Sequence, residues 1–177
     1  MKPASPNAYK LLHEGSLALA QVEHNGLRID VAYLNKTIEE TAQKITRLQN
    51  ELREDKVYSV WRKAYGNKAT LGSPEQLANV IFKKLGYPCT QYTVSSYNSD
   101  GSLREDAQEK ADEGAFANVD LPFIKKYFEW KKSIKVKNTY LEGIRKETVN
   151  GFLHPSFNLH TVRTYRSSSS NPNFTNI

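Results

Sequence analysis

The feature that most constrains the fold is a run of apolar residues, three and four positions apart, between residues 31 and 52. The run consists of Val31, Leu34, Ile38, Ala42, Ile45, Leu48 and Leu52. This spacing gives an α-helix one apolar stripe, and we predict one long helix from about Val31 to about Tyr65. The stripe needs a partner helix, because a helix in water gains most of its stability by packing its apolar face. A coiled-coil dimer would also cover it, although the spacing is lost after Lys56.

Other segments also show helical spacing or helix boundaries. Ser73 is predicted to cap a helix because Pro74 follows at the first helical position and Gln76 stands three residues after the cap. Further helices are predicted over residues 6–24, 73–85, 103–113 and 121–146. Short extended segments are predicted at residues 27–29 and 152–161. The apolar stripe of the last helix consists of Phe123, Tyr127, Trp130, Ile134, Leu141 and Ile144.

Positive charge is concentrated in the last third of the chain, which has a formal net charge of +6 overall. Residues 1–120 contribute −1 (15 Lys and Arg against 16 Asp and Glu), residues 121–147 contribute +5 (8 against 3) and residues 148–177 contribute +2 (2 against 0). Such a cluster is either a solvated surface or a face that binds an anionic polymer. Nucleic acid is the first candidate polymer.

The last fifteen residues, Arg163 to Ile177, are rich in hydrogen-bond donors and read R-T-Y-R-S-S-S-S-N-P-N-F-T-N-I. Two arginines, four consecutive serines and three asparagines stand together with no acidic residue. Guanidinium, hydroxyl and amide groups of this kind contact the phosphates and sugars of nucleic acids. We therefore expect this segment to form part of a nucleic-acid site.

The predicted last helix carries a row of cations and hydrogen-bonding side chains. Lys131 and Lys135 are one helical turn apart and share a face, and Asn138 and Thr139 follow about one turn later. Lys137 lies beside that face. The spacing suits contacts with successive phosphates of a strand, although a solubilising stripe would have the same spacing.

The sequence shows no complete catalytic or metal centre. Cys89 is the only cysteine, so an intrachain disulfide is excluded and a reducing compartment is expected. No apolar run has the length of a membrane span or of a signal-peptide core, and we expect no membrane partner. His154 and His160 have no neighbouring Cys, Asp or Glu at ligand spacing. Two-metal phosphoryl transfer needs converging carboxylates, and residues 121–177 contain no Asp.

Four blocks of the sequence, in order, resemble those of family A DNA polymerases, the bacterial DNA polymerase I class. Residues 22–30, V-E-H-N-G-L-R-I-D, are similar to I-E-x-N-G-x-x-I-D. Residues 71–86, with L-G-S-P-E-Q-L, V-I-F and L-G, resemble N-L-S-S-x-K-Q-L-x-x-x-L-F-x-x-x-G. Residues 135–140, K-V-K-N-T-Y, resemble K-L-K-S-T-Y. Residues 162–177 resemble T-x-T-G-R-L-S-S-x-x-P-N-L-Q-N-I-P, in a form closer to divergent phage-type members.

The resemblance implies a mainly α fold, with a thumb subdomain of long antiparallel helices, a small tip, and then the first β-strand and turn of the palm. Residues 1–29 would form an N-terminal helix and short strand that lead into the thumb. Residues 30–150 would form the thumb, with its tip at about 66–118, and residues 151–177 the beginning of the palm. The implied function is to grip primer–template duplex as part of a DNA-directed DNA polymerase, a nucleotidyltransferase of DNA replication or repair.

The resemblance also implies roles for individual residues, carried over by position. Ser73 would touch a DNA phosphate at the thumb tip, and Lys131 and Lys135 would contact the duplex backbone. Arg166 would reach the minor-groove edge at the primer terminus, near the sugar of the incoming nucleotide. The implied DNA-binding set is Ser73, Lys131, Lys135, Lys137, Asn138, Thr139, Thr164, Arg166, Ser168, Asn173 and Asn176.

The sequence departs from the family in the last block and lacks three others. Tyr165 replaces a glycine that allows close backbone approach, Ser167 replaces leucine and Thr175 replaces glutamine. The D-Y-S-Q-I-E block, the fingers helix and the H-D-E block do not occur. We therefore expect this chain to be inactive alone and to bind no cofactor, with Mg²⁺ bound by the complete polymerase. The expected partners are primer–template DNA and the remainder of the polymerase, in the cytoplasm of a bacterial or phage-infected cell.

Two alternatives stay open. A stand-alone helical nucleic-acid-binding or scaffold protein, derived from a polymerase thumb, would keep the DNA grip without the chemistry. A coiled-coil interaction protein would leave the terminal segment without a role. In the polymerase interpretation the strand from Phe152 lacks its sheet partners, so residues 152–177 are expected to be exposed or disordered.

Overall fold

The computed structural model describes residues 5–159, 161 and 166–174. The chain is mainly α-helical, as expected, and its described part has two small antiparallel sheets. The helices are α1 (Pro6–Asn25), α2 (Val31–Glu54), α3 (Lys56–Tyr65), α4 (Pro74–Ala78), α5 (Pro122–Lys135) and α6 (Glu142–Glu147). The strands are β1 (Leu27–Arg28), β2 (Thr148–Val149), β3 (Phe152–Leu153), β4 (Ser156–Asn158) and β5 (Ser168–Ser170).

The chain divides into two compact units. Unit 1 comprises the residues up to Gln43 and those from Ile134 onward, and unit 2 is Lys44–Ser133. These units follow the packing of the chain. The predicted division into residues 1–29, 30–150 and 151–177 follows functional subdomains instead, and it stays a prediction.

Local capping explains where the first two helices begin and end. Ser5 accepts a hydrogen bond from the backbone N–H of Ala8 and caps α1. Gly26 ends α1 at a φ of 67°, a left-handed conformation that favours glycine. The Asp30 carboxylate accepts a 2.9 Å hydrogen bond from the N–H of Tyr33 and caps α2. These boundaries agree with the sequence pattern, because caps act within three or four residues of the helix end.

The prediction of one helix over residues 31–65 is wrong at Asp55. The backbone of Asp55 is extended (φ −72°, ψ 148°), and its carboxylate accepts a 2.8 Å hydrogen bond from the N–H of Val57. Aspartate is a favoured N-cap, so α2 ends at Glu54 and α3 begins at Lys56. Both signs of the break were visible in the sequence, because Asp55 is a cap residue and the apolar spacing is lost just after it.

The predicted helix over residues 103–113 is also wrong. Residues 92–109 fold back on themselves through isolated bridges between Tyr92 and Glu109 and between Tyr97 and Leu103. The Asp100 carboxylate accepts hydrogen bonds from the hydroxyl and the backbone N–H of Ser102, and these bonds lower the pKa of Asp100. Short polar side chains of this kind compete with helix formation by bonding the local backbone.

Two predicted helices continue into π-helical segments. Asn79–Lys84 follows α4, and Val136–Leu141 lies between α5 and α6. Backbone hydrogen bonds in a π-helix join residues five apart, so these segments do not keep the α-helical spacing on which the prediction depended. The segment Val136–Leu141 contains most of the K-V-K-N-T-Y block.

An aromatic core holds unit 2 together. Tyr127 lies at its centre, with ring centroids 6.4 Å from Trp61, 6.5 Å from Phe123 and 5.8 Å from Trp130. Within unit 2, α2 and α5 run antiparallel and are joined by two ion pairs. These pairs are Lys44–Glu129 (2.7 Å) and Lys126–Glu51 (2.8 Å). The largest fully buried side chains of the unit are Trp61, Tyr127, Phe123, Leu52, Leu77, Ile81 and Val80.

The three-stranded sheet of unit 1 corrects the expectation that residues 152–177 are exposed. Strand β3 lies between β1 and β2 and is antiparallel to both, with Leu153 opposite Leu27 and Thr148. The side chain of Leu153 is fully buried. Asn150 (φ 53°) and Gly151 (φ 81°) form the two-residue turn between β2 and β3. Asn-Gly is a strong hairpin signal, so the sequence held the means to predict this pairing.

Gln76 closes the turn that precedes α4 over the buried indole of Trp61. Its Oε1 atom accepts hydrogen bonds from Trp61 Nε1 (2.8 Å) and from the N–H of Thr70 (3.1 Å). Its Nε2 atom donates to the carbonyl oxygen of Lys68 (3.1 Å). One amide side chain therefore satisfies a buried donor and two backbone groups of the turn.

We predict that Gln76→Ala lowers the free energy of unfolding by about 1–3 kcal/mol, because the buried Trp61 N–H loses its acceptor. Urea denaturation measures this change. The matched control is Gln43→Ala at an exposed position of α2, which should change the free energy by less than about 0.5 kcal/mol. Equal effects of the two substitutions would contradict the assigned role.

The buried hydroxyl of Tyr127 is unfavourable for the stability of the aromatic core. Among the described residues, neither its hydroxyl nor Trp130 Nε1 has a hydrogen-bond partner, and both atoms are buried. Burial disfavours the phenolate and raises the pKa of Tyr127 from its ordinary value near 10 to about 12. Between these values the unfolded chain loses the Tyr127 proton while the folded chain keeps it, so stability decreases as pH rises.

We predict that Tyr127 makes the free energy of unfolding fall by about 1.4 kcal/mol per pH unit above about pH 10, until its folded-state pKa is reached. In Tyr127→Phe this contribution should be absent, and stability at neutral pH should be at least that of the wild type, because the variant removes a buried hydroxyl without a partner among the described residues. Urea denaturation of both proteins at several alkaline pH values isolates the difference. Parallel pH profiles would contradict the prediction.

Candidate nucleic-acid interface

The lysines of the last helical region differ in whether a carboxylate neutralises them. Five have partners: Lys125 with Asp120 (3.7 Å), Lys126 with Glu51 (2.8 Å), Lys132 with Glu113 (2.9 Å), Lys137 with Glu142 (3.1 Å) and Lys146 with Glu147 (4.0 Å). Within the described residues, Lys131 and Lys135 of α5 form no ion pair. These are the two lysines for which the sequence predicts contacts with the DNA backbone.

One ion pair also shifts the pKa values of its members. The hydrogen bond from Lys126 lowers the pKa of the Glu51 carboxyl, and Glu51 in turn raises the pKa of Lys126. Both groups therefore stay charged near neutral pH and compensate each other. A count of positive charges overstates what α5 offers to an anion, because three of its five lysines already have a carboxylate partner.

Lys137 forms an ion pair with Glu142, and the π-helical geometry of Val136–Leu141 brings the two side chains together. Residues five apart share a face in this geometry, and Lys137 Nζ lies 3.1 Å from Glu142 Oε1 with only 23% of the lysine side chain exposed. Glu142 also pairs with Arg145 at 2.5 Å. Asn138 and Thr139 are exposed. Their predicted alignment with Lys135 assumed α-helical spacing, and that assumption is wrong across Val136–Leu141.

Ser73 caps α4 as predicted. Its Oγ accepts a 3.3 Å hydrogen bond from the N–H of Gln76, and its side chain is half-buried. The residues Pro74–Ala78 that follow form a helix of five residues, which continues into the π-helical segment Asn79–Lys84. The structure therefore gives Ser73 a structural role, and its phosphate contact stays a prediction.

The donor-rich terminal segment contains a β-strand. Strand β5 is antiparallel to β4, with Ser156 opposite Ser170, Phe157 opposite Ser169 and Asn158 opposite Ser168. Arg166 precedes this strand, is exposed and forms no ion pair within the described residues. Thr164 and Asn176, which are also predicted DNA contacts, lie outside the described residues.

Hydroxyl and amide groups of this segment bond one another. The hydroxyls of Thr161 and Ser168 are 2.6 Å apart, and Ser169 Oγ donates to Asn173 Oδ1 at 3.5 Å. Ser169 is buried, whereas Ser168 and Ser170 are half-buried. Two of the predicted contacts, Ser168 and Asn173, are thus held in place by neighbours on or beside β5.

The described residues contain no cluster of three His, Cys, Asp or Glu side chains that could hold a metal ion. They therefore do not fit the Mg²⁺ site of a polymerase. In the same part of the chain, no helix is long and apolar enough to cross a membrane.

Known proteins resemble this chain along most of its length. The sequence profile of DNA polymerase family A matches residues 31–177. The chain is 32% identical over 166 residues to the thermostable DNA polymerase I of Thermus aquaticus, covering 92% of this chain and 18% of that protein. It is 34% identical over 167 residues to the thermostable DNA polymerase I of Thermus thermophilus, with the same coverage. For DNA polymerase I of Synechocystis sp. the identity is 32%, covering 90% of this chain and 15% of that protein.

A solved structure shares the fold. The POL domain of Pol1 from M. smegmatis, in complex with DNA primer–template and dNTP, superimposes with a TM-score of 0.67 at 26% identity. The superposition covers 90% of this chain and 25% of that chain. The chain thus spans 15–18% of the length of the curated relatives named above. Because the family profile matches most of the sequence and relatives align along about nine-tenths of it, this chain belongs to DNA polymerase family A.

Proposed function

We propose that this chain is the thumb and palm entrance of a DNA-directed DNA polymerase, and that it grips primer–template duplex during DNA replication or repair. One observation carries the proposal: Lys131 and Lys135 form no ion pair within the described residues, whereas the other lysines of α5 do. Unpaired cations can neutralise phosphates and release the counterions of DNA, which supplies most of the sequence-independent affinity. The relative from M. smegmatis was solved with primer–template DNA.

The proposal assigns two kinds of contact. Lys131 and Lys135 contact the sugar–phosphate backbone, which sets affinity without reading sequence. Arg166 contacts the minor-groove edge at the primer terminus. The other proposed DNA contacts are Ser73, Lys137, Asn138, Thr139, Thr164, Ser168, Asn173 and Asn176. For Lys137 the contact requires the ammonium to leave Glu142, so its contribution is the smallest of the three lysines.

The chemistry is assigned to the remainder of the polymerase. We propose that the fingers, the palm carboxylates and their Mg²⁺ are supplied by that partner, and that this chain alone incorporates no nucleotide. The proposed location is the cytoplasm of a bacterial or phage-infected cell, where the DNA substrate is found.

A stand-alone DNA-binding or scaffold protein is the second candidate function. The three-stranded sheet favours it, because β3 finds both of its partners within this chain. Adding the remainder of a family A polymerase distinguishes the two. Nucleotide incorporation on addition supports the polymerase function, and DNA binding without any incorporation supports the second candidate.

We predict that Lys131→Ala and Lys135→Ala each reduce the magnitude of the slope of log K against log[salt] by about 0.9, since each loses one phosphate contact. Fluorescence anisotropy of this chain with a labelled duplex, at several salt concentrations, measures the slope. The matched control is Lys132→Ala, whose ammonium is paired with Glu113 and should leave the slope unchanged. A wild-type affinity that does not vary with salt would overturn the phosphate contacts.

We predict that Arg166→Ala weakens binding to a recessed 3′ end, but not to a blunt duplex, when the remainder of the polymerase is supplied. The loss follows from the guanidinium contact at the primer terminus. Affinities for the two DNA forms, and primer extension, measure it. Unchanged preference and full primer extension by the mutant would refute the assigned role.

A further inference from the structure

Glu23, near the end of α1, bonds a segment more than 130 residues away in the sequence. Its Oε1 atom accepts a 2.5 Å hydrogen bond from the backbone N–H of Phe157, the middle residue of β4. Its carbonyl oxygen lies 2.7 Å from His154 Nδ1. Because a carbonyl oxygen can only accept, Nδ1 of His154 carries the proton in this arrangement. One residue of α1 thus receives two hydrogen bonds from residues 154–157.

The backbone of α1 also lies close to this segment at two glycines. A Cβ atom at Gly26 would lie only 2.6 Å from Cε1 of the His154 ring, and Gly26 has a φ of 67°. A Cβ atom at Gly15 would lie 3.0 Å from Cδ1 of Leu159. Gly26 therefore serves twice, because it ends α1 and leaves room for the His154 ring. These close approaches show that residues 154–159 are packed on α1.

Strand β4 is the sole described strand partner of β5, which lies in the proposed DNA-contact segment. A sheet of two strands is marginally stable in water unless other elements support it. Here the support comes from α1, which contacts β4 through Glu23. Arg166 stands two residues before β5, and Asn173 bonds back to Ser169 of β5. The position of β5 therefore depends on where α1 holds β4.

We propose that Glu23 is a positioning residue: by holding β4, it places β5 and Arg166 for contact with the primer terminus. This inference deepens the proposed function and depends on it. Glu23 touches no DNA in this scheme and acts through Phe157 and His154. A carboxylate is well suited to holding β4, because hydrogen bonds to a charged acceptor are stronger than those to a neutral one.

Hydrogen exchange of this chain tests the positioning without DNA. In Glu23→Ala the amides of Ser168–Ser170 should exchange about tenfold faster, the factor expected for losing one hydrogen bond to a charged group. Glu23→Gln keeps an acceptor at the same place and should retain the protection. The matched control is Glu14→Ala, an exposed α1 residue paired with Lys10. Unchanged exchange of β5 in Glu23→Ala would overturn the proposal.

Binding by the completed polymerase tests the functional consequence. Glu23→Ala should reduce the preference for a recessed 3′ end over a blunt duplex about tenfold and leave the salt slope unchanged. Glu23→Gln should restore the preference, which a general loss of folding would not predict. If Arg166→Ala itself leaves the preference unchanged, the proposed function fails. If Arg166→Ala reduces it and Glu23→Ala does not, the inference alone fails.

Gly26→Ala provides an independent perturbation of the same contact. The added Cβ must displace the His154 ring, so this variant should reproduce the exchange and binding changes of Glu23→Ala. Gly66→Ala is the matched control, because Gly66 also ends a helix at a positive φ (56°) and a Cβ there meets no atom within 4 Å. A Gly26→Ala protein that folds and behaves like Gly66→Ala would overturn the proposal. If Gly26→Ala does not fold, the Glu23 variants still test the proposal.

Discussion

Packing around Tyr127 is the interaction on which unit 2 depends. Its ring contacts aromatic side chains of α3 and α5, and two ion pairs tie α5 to the neighbouring part of α2. The same packing leaves the hydroxyl of Tyr127 without a partner among the described residues. A buried hydroxyl without a hydrogen bond is unfavourable, so aromatic packing must outweigh that cost. With one face of α5 held in this way, Lys131 stands on the helix without a competing carboxylate.

Ion pairing separates the lysines that are available to an anion from those that are not. Lys126 and Lys132 of α5 are neutralised by Glu51 and Glu113, which lie far from them in the sequence. Lys137 is neutralised locally, because the π segment brings Glu142 onto its face. Exposed pairs of this kind add little stability, but they remove positive charge from the surface. Fewer lysines are therefore available to an anion in the folded chain than the sequence suggests. In α5 these are Lys131 and Lys135.

Much of the fold could be predicted because its determinants are local. The caps at Asp30 and Ser73 and the stop at Gly26 act within a few residues, and the predicted ends of the helices beside them are correct to within one residue. The predictions failed where a single residue or a change of spacing interrupts a regular pattern. Asp55 caps a new helix just after the apolar run, Asp100 organises a turn, and the π segment changes which residues share a face. The strand pairing of β3 was missed although Asn150-Gly151 indicated a hairpin.

The family, the helical class and the residue types of the candidate site could be derived from the sequence alone, because the blocks that resemble the family and the helix caps are short and contiguous. Which cations stay unpaired, and what supports β5, depends on tertiary packing. Glu51 meets Lys126, and Glu23 meets Phe157, across long stretches of chain. Such contacts depend on where whole elements pack, and spacing along the sequence carries no information about that packing.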